Sequence, residues 1–401
     1  MRRPVLPDLE EIGMTPMNIP FAKPWLGAEE EQAAVRAIRS GWVSQGPEAD
    51  AFEREFAAYT GAAHACAVSS ATTALHLAMK AIGVYSGDEV ITVSHSFLAT
   101  ANCIRYMDAI PVFVDIEPLT YNMDPRLIEA AITPRTKAIL CVHQIGMPCH
   151  GLKVVEDAAP AIGSEILWNG RWEKIGRAHG DVTCFSFHAR KIITTGDGGM
   201  ITTNNPEYDA QFRRWRCHGM NMSSDARHGA KTVAFEEYVE LGYNYRLTDI
   251  QAAVGREQLK KVPEIVRRRR ELAARYHQLL SGIPELGLPV EPEWARTNWQ
   301  SYCVLLPEWA DQLDVMQRML DQGVATRRGV HTSHMEPAYE IEPWKCGGER
   351  QTCGCAPRRC RCLPESERAR LSGLLLPLYY HMGDAEQDRV CEVLTGILRR
   401  G

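Results

Sequence analysis

The chain has 401 residues, 45% of them hydrophobic and 24% charged, with a formal net charge of -5. Such a chain is long enough to fold as two domains, and nothing in its charge points to nucleic acid. No run approaches the roughly 18 consecutive apolar residues of a membrane helix, and Met1–Glu11 lacks the apolar centre of a signal peptide, so a cytoplasmic protein without membrane partners is expected.

In chain order, Glu29–Ser40 is predicted to be a helix, with Ala33, Val35, Ala37 and Ile38 among its apolar positions. Ala65–Val68 reads as a strand entering a Ser70-Ala71-Thr72 turn, and Ala74–Ile82 as the helix after it. Amides at such a helix start offer a phosphate site, although serine and threonine there also serve as ordinary N-caps. From Val90 an apolar strand runs into Ser94-His95-Ser96-Phe97. Ala138–Val142 and Leu152–Val155 are predicted to be parallel strands, yet only residues 143–151 join them. A parallel crossover needs about a dozen residues or more, usually a helix.

Glu237–Leu247 leads into a helix that Thr248 caps and that runs through Val254. The arginine-rich stretch Val266–Leu272 belongs to a long charged helix leaving the first domain, its arginines expected on a solvated face. Tyr302–Leu306 reads as a strand and Glu386–Leu398 as a closing helix. The alternation of helical patterns with short apolar runs predicts an α/β fold with a mostly parallel sheet. No internal repeat interrupts it.

Of the 13 cysteines, five crowd together as Cys346, Cys353, Cys355, Cys360 and Cys362. Paired zinc ligands usually stand roughly two to four residues apart, and Cys-Gly-Cys and Cys-Arg-Cys are tighter. Gly347, Gly348, Gly354 and Pro357 break any helix or strand there. The segment 346–362 is therefore read as an arginine-containing insertion, with no metal expected. Cys66, Cys141 and Cys184 lie in apolar runs as small buried hydrophobes.

The chemistry concentrates at two places. Leu152–Ala159 is an apolar run ending in Glu156 and Asp157, where the C-terminal end of a strand meets a ligand. Ser186-Phe187-His188-Ala189-Arg190-Lys191, followed by Thr194-Thr195-Gly196-Asp197-Gly198-Gly199, sets one lysine between a β-like run and a glycine-rich turn. Most lysines are solvated surface residues. Combined with the serine, the glycine turn and the upstream acid, this lysine reads as a cofactor anchor. Pyridoxal 5'-phosphate is held by a lysine amine and needs an acid at its pyridinium nitrogen, which Lys191 and Asp157 would supply.

These landmarks, with Gly41-Trp42, Gly46-Pro47, Gly87-Asp88-Glu89 and Gly242-Tyr243-Asn244-Tyr245-Arg246, resemble the DegT/DnrJ/EryC1/StrS sugar aminotransferases from about Ile19 to the C-terminus. The resemblance implies the fold type I, aspartate aminotransferase-like architecture. Helices would cover both faces of the sheet in a large domain of residues 19–262, after an extension of residues 1–18, and a smaller α+β domain would span 263–401. It also implies transfer of an amino group from an amino acid, usually glutamate, to a nucleotide-linked keto-sugar, with pyridoxamine phosphate as the intermediate form of the cofactor. Lys191 and Asp157 would be catalytic. Ser70, Ala71, Thr72 and Ser186 would hold the phosphate, together with Asn244 reaching across a homodimer, and His95 would stack on the pyridine ring. Arg246 would meet an anionic group of a substrate, and His334 would lie near the sugar.

The chain departs from the family at three points. It lacks most of the family's helix between the two predicted parallel strands. Pro160 stands where a polar side chain often bonds the cofactor's phenolic oxygen, and Ala189 where proline is common. Two other readings follow from the resemblance. A dehydratase would carry histidine in place of Lys191, and a silent cofactor- or nucleotide-sugar-binding homologue would bind without amino transfer.

Overall fold

A computed structural model describes residues 18–147, 155–221, 235–347 and 355–399. The central sheet has eight strands in the spatial order His64–Val68, Gly199–Thr203, Val182–Ser186, Val155–Asp157, Thr136–Val142, Glu89–Val93, Ile110–Val114 and Lys345–Cys346. Gly199–Thr203 runs antiparallel to both its neighbours, and every other pairing is parallel. The predicted α/β fold with a mostly parallel sheet is thus what forms.

Neighbouring residues of a strand face opposite sides of a sheet, and both sides are covered here. Phe185, Ala65 and Ala67 pack with Phe52 and Phe56 of the Pro47–Thr60 helix and with Leu259 and Val262 of the Asp249–Leu280 helix. Cys184, Cys66 and Val68 pack on the other side with Leu75 and Ala78 of the Ala71–Ala81 helix and with Phe212. Burial on both faces is why these strands read as unbroken apolar runs.

His64–Val68 is a sheet edge, and the backbone groups it would expose are taken by side chains. Glu53 accepts from the Ala67 amide at 2.8 Å, Arg216 donates to the Ala67 carbonyl at 2.7 Å and Arg213 to the Ala65 carbonyl at 2.8 Å. Glu53 also pairs with both arginines. Burial alone would raise the Glu53 carboxyl, but Arg216 and Arg213 hold it below the usual range. Its stabilisation is therefore complete above the unfolded glutamate value of about 4.3 and fades as the pH falls through the lower folded value. Glu53→Gln leaves two guanidinium groups short of a buried counter-charge, and urea titration is expected to show a loss of about 3–5 kcal/mol.

Asp249–Leu280 is one helix of 32 residues, opened by Thr248 accepting from the Gln251 amide at 3.2 Å. It runs far past the expected Val254 end and through Pro263, so the expected 262/263 boundary falls inside it. Proline in a helix interior costs about 3 kcal/mol. Burial on both sides of it outweighs that: Val262, Ile265 and Val266 enter one core, and Leu272, Ala273, Tyr276 and Leu280 enter another. This second core also contains Ile19 and the antiparallel sheet of Tyr302–Leu305, Gly373–Leu376 and Arg327–Arg328, closed by the Asp384–Leu398 helix.

A further sequence expectation changes here. The arginines of this helix do not all face solvent. Arg268 donates to the Met382 carbonyl at 2.6 Å, Arg269 to that of Trp299 at 2.9 Å and Arg270 to that of Thr297 at 3.0 Å. These long side chains bind carbonyls on segments that pack against the helix, which a count of local charge does not reveal. The expected parallel pairing is seen between Leu140–Val142 and Val155–Asp157, and residues 152–154 of the expected second strand lie outside the described residues. The connection begins with a 3₁₀ turn at Gln144–Gly146, and the expected lack of a helix falls mainly on 148–154, outside the described residues. No helix among the described residues is long and apolar enough to cross a membrane.

Candidate active site

The site lies where the strands Val155–Asp157 and Val182–Ser186 end side by side. Alternation along the first strand separates the two acids that were adjacent in sequence. Glu156 bonds His143 Nε2 at 3.0 Å and the Gly180 amide at 2.6 Å, and His143 and Gly180 are its structural partners. Burial alone would raise its carboxyl, but His143, through its hydrogen bond and its charge, and the Gly180 amide hold it low.

Asp157 is buried on the other face. One carboxylate oxygen accepts from Thr100 Oγ1 at 2.7 Å and the other from the Ala159 amide at 3.1 Å. Ser96 Oγ lies 2.6 Å from the same threonine oxygen. With Thr100 donating to Asp157, Ser96 donates to Thr100, and the chain of hydroxyls fixes the orientation of the carboxylate. Thr100 and Ser96 were not found from the sequence. Parallel pairing brings the Glu89–Val93 strand end and the Ala99–Arg105 helix beside Asp157 only in the fold, and the Ser96-to-Thr100 spacing carries no local signal.

Lys191 sits half-buried on the turn after Ser186. Its amide donates to the His188 carbonyl at 2.8 Å, and Gln300 holds the Arg190 carbonyl at 2.7 Å. Burial pulls the Lys191 ammonium down to about 8; Asp157 opposes the fall and Arg190 adds to it. An amine so placed exchanges protons near neutral pH, as a group that must alternate between acid and base requires. The following turn is locked: Thr194 Oγ1 donates to the Phe187 carbonyl at 2.9 Å and accepts from the Gly196 amide at 2.9 Å. Gly196 adopts φ +84°, the left-handed region that favours glycine.

At the Ala71–Ala81 helix start, Ser70 Oγ accepts from the Thr73 amide at 3.1 Å. Ser70 is therefore an N-cap as well as a phosphate candidate. The amides of Ala71 and Thr72 have no protein acceptor among the described residues, the arrangement that suits an anion. Gly199 shapes this cradle. A Cβ there would lie 2.5 Å from the Ser70 carbonyl and 2.8 Å from the Ala71 nitrogen. Gly199→Ala is expected to displace the turn at a cost of about 1–3 kcal/mol, weakening pyridoxal phosphate binding about 10-fold. Absorbance titration checks this, and unchanged affinity would remove the turn from the cofactor site.

Ser186 is buried at its strand end and accepts from the His188 amide at 3.3 Å. His95 is buried, with Nδ1 3.3 Å from Thr332 Oγ1. Burial, with Arg370 and His331 nearby, drops its pKa to about 3, so the ring is neutral. Asn244 is exposed on a segment that pairs with Cys217 and reaches the residues just before the Ser70-Ala71-Thr72 turn, where Ser69 donates to the Tyr245 carbonyl at 2.8 Å and Val68 bridges Arg246. Arg246 donates to Cys217 Sγ at 3.3 Å.

His334, expected beside the sugar, has no exposed side-chain surface. Nδ1 lies 2.8 Å from Ser94 Oγ and Nε2 3.3 Å from Glu367, so its ring nitrogens are taken by protein partners. Asn298 binds the Pro160 carbonyl at 2.8 Å, giving that segment a structural partner where proline offers no side-chain bond.

A lysine, a buried acid and an open helix start at the ends of a mostly parallel sheet, with one reversed strand, define a fold type I aminotransferase. The residues fit pyridoxal phosphate: Gly199 leaves room for the phosphate turn, and the buried carboxylate supplies the acid. Residues 24–395 match the DegT/DnrJ/EryC1/StrS aminotransferase family, and the chain belongs to it. It is 36% identical over 396 residues to the spore coat polysaccharide biosynthesis protein SpsC of Bacillus subtilis (strain 168), covering 95% of this chain and 97% of that one. The aminotransferase TlmJ from Streptoalloteichus hindustanus is 32% identical with a TM-score of 0.82, covering 95% of this chain and 99% of that one. Spr1654 from Streptococcus pneumoniae, in its PMP form, is 27% identical with a TM-score of 0.84, covering 96% and 100%. It is also solved in a PLP form. The chain is thus homologous to PLP-dependent sugar aminotransferases.

Proposed function

We propose that this protein moves an amino group from an amino acid, glutamate, to a keto-sugar carried on a nucleotide. The observation that carries the reading is the placement of the partly desolvated Lys191 amine and the hydroxyl-fixed Asp157 carboxylate at the ends of adjacent strands. Pyridoxal phosphate, when bound, supplies the electron sink for the carbanion formed at the donor's α-carbon.

In this reading Lys191 holds the cofactor and later carries the proton to and from the reacting carbon. Asp157, with its two carboxylate oxygens held by Thr100 and the Ala159 amide, would be the acid at the ring nitrogen. The amides of Ala71 and Thr72, with Ser70 and Ser186, bind the phosphate. Asn244, exposed on its segment, completes that site from the second subunit of a homodimer. Neutral His95 covers the ring face, and Arg246 meets an anionic group of a substrate. His334 acts through Ser94, the neighbour of His95. The division into a cofactor-binding part, 19–262, and a smaller part, 263–401, belongs to the same proposal, with the Asp249–Leu280 helix spanning the join.

The test is turnover of a panel of nucleotide-linked keto-sugars with glutamate, read by mass spectrometry of the sugar and by release of 2-oxoglutarate. One amino sugar per 2-oxoglutarate is expected. Release of 2-oxoglutarate without amination of any keto-sugar would overturn the acceptor class.

A further inference from the structure

Lys345–Cys346 adds to the edge of the central sheet, paired in parallel with Val112–Phe113. Lys345 bonds Glu89 at 2.6 Å, and the Gly347 amide donates to the Phe113 carbonyl at 2.6 Å. Cys346 is therefore fixed from both sides. Some way along the chain, a turn closed by the Arg359 amide on the Ala356 carbonyl folds Cys355 back beside Cys360, their sulfurs 3.2 Å apart. The sulfurs of Cys346, Cys355 and Cys360 all lie within 4.8 Å of one another. Cys360 is buried, and the group packs beside Trp344 against a cluster containing Phe113 and Tyr339.

We infer that Cys346, Cys355 and Cys360 bind a structural zinc ion as thiolates. In a tetrahedral site with Zn–S of about 2.3 Å, ligand sulfurs stand about 3.8 Å apart, and these three need only small side-chain movements to reach that spacing. Three soft donors and no carboxylate select zinc over magnesium or calcium. A bound dication replaces the thiol protons, which leave to solvent. Spacing along the chain argued against a metal because it weighed Cys-x-Cys neighbours, whereas the fold recruits Cys346 from a separate strand.

The ion would pin the segment that leads into the Pro364–Ser372 helix. The Cys360 amide donates to Glu367 Oε1 at 2.5 Å, and that oxygen lies 3.3 Å from His334 Nε2. His334 in turn meets Ser94, next to His95. The zinc is thus a clamp on the chain of contacts that runs from Cys360 through Glu367 and His334 to Ser94, and it binds whether or not the protein transfers amino groups.

The test uses the full chain, loaded with zinc, desalted and analysed for metal by mass spectrometry. About one zinc per chain is expected. It should be lost in the Cys346→Ser/Cys355→Ser/Cys360→Ser variant and kept in Cys391→Ala, which alters a cysteine of the other core. Because the triple variant risks misfolding, the wild-type chain is also titrated with cobalt(II), which should produce a thiolate-to-metal charge-transfer band that zinc abolishes. Chelation should lower the melting temperature. No zinc retained, no cobalt band, or a Cys355–Cys360 disulfide in the freshly purified protein would overturn the proposal.

Discussion

Lys191→Ala is expected to fold normally and to lose turnover by at least about 10²–10⁴-fold, the usual contribution of a positioned acid–base group, and to lose covalent attachment of the cofactor as well. The side chain is half-buried on a turn held by the Thr194, Gly196 and Gln300 hydrogen bonds, none of which involves its amine. Removing the amine therefore spares the scaffold. Circular dichroism and steady-state kinetics separate the two effects, and normal turnover in a folded variant would remove Lys191 from the reaction. The lowered pKa adds a pH signature. Only the neutral amine attacks a carbonyl, and the Lys191 ammonium is drawn down to about 8 by burial. Borohydride trapping of pyridoxal phosphate at Lys191, read by peptide mass, should rise with pH through about 8, to which burial lowers the amine, and then level off. A rise centred near 10.4, the ordinary lysine value of about 10.4, would contradict this environment.

Asp157→Asn has the second largest effect expected, about 10²-fold on kcat with little loss of stability. The carboxylate is buried at the strand end and held by Thr100 and the Ala159 amide. An asparagine keeps the volume and one acceptor, so packing survives while the negative charge is lost. Urea denaturation should show a near-native midpoint. Turnover equal to that of the parent would take Asp157 out of the mechanism, and unfolding of the variant would make it a structural residue.

Much of this was legible in the sequence because the signals were local. Lys191, Ser186 and Asp157 sit on strand ends and turns whose residues announce themselves within a few positions. The Ser70-Ala71-Thr72 turn opens a helix that Ser70 caps. Other features depend on contacts that sequence order hides. Ser96 and Thr100 reach Asp157 only because the strand before them, Glu89–Val93, runs parallel to its own in the same sheet, with Thr136–Val142 between them. Glu53, Arg213 and Arg216 close an edge formed by a strand far from the arginines in sequence. Pro263 stands inside the Asp249–Leu280 helix, where burial of Val262 and Ile265 overrides its cost. His334 carried a local motif but took partners from Ser94 and Glu367, so its burial was visible only in the fold.

The most direct measurement is the visible spectrum of the purified protein with pyridoxal phosphate, before and after excess glutamate. An absorption band that depends on Lys191 and that glutamate converts to the pyridoxamine form is expected, with 2-oxoglutarate released in equal amount. A stable band that glutamate leaves unchanged, or no band in a folded protein, would contradict the proposed function.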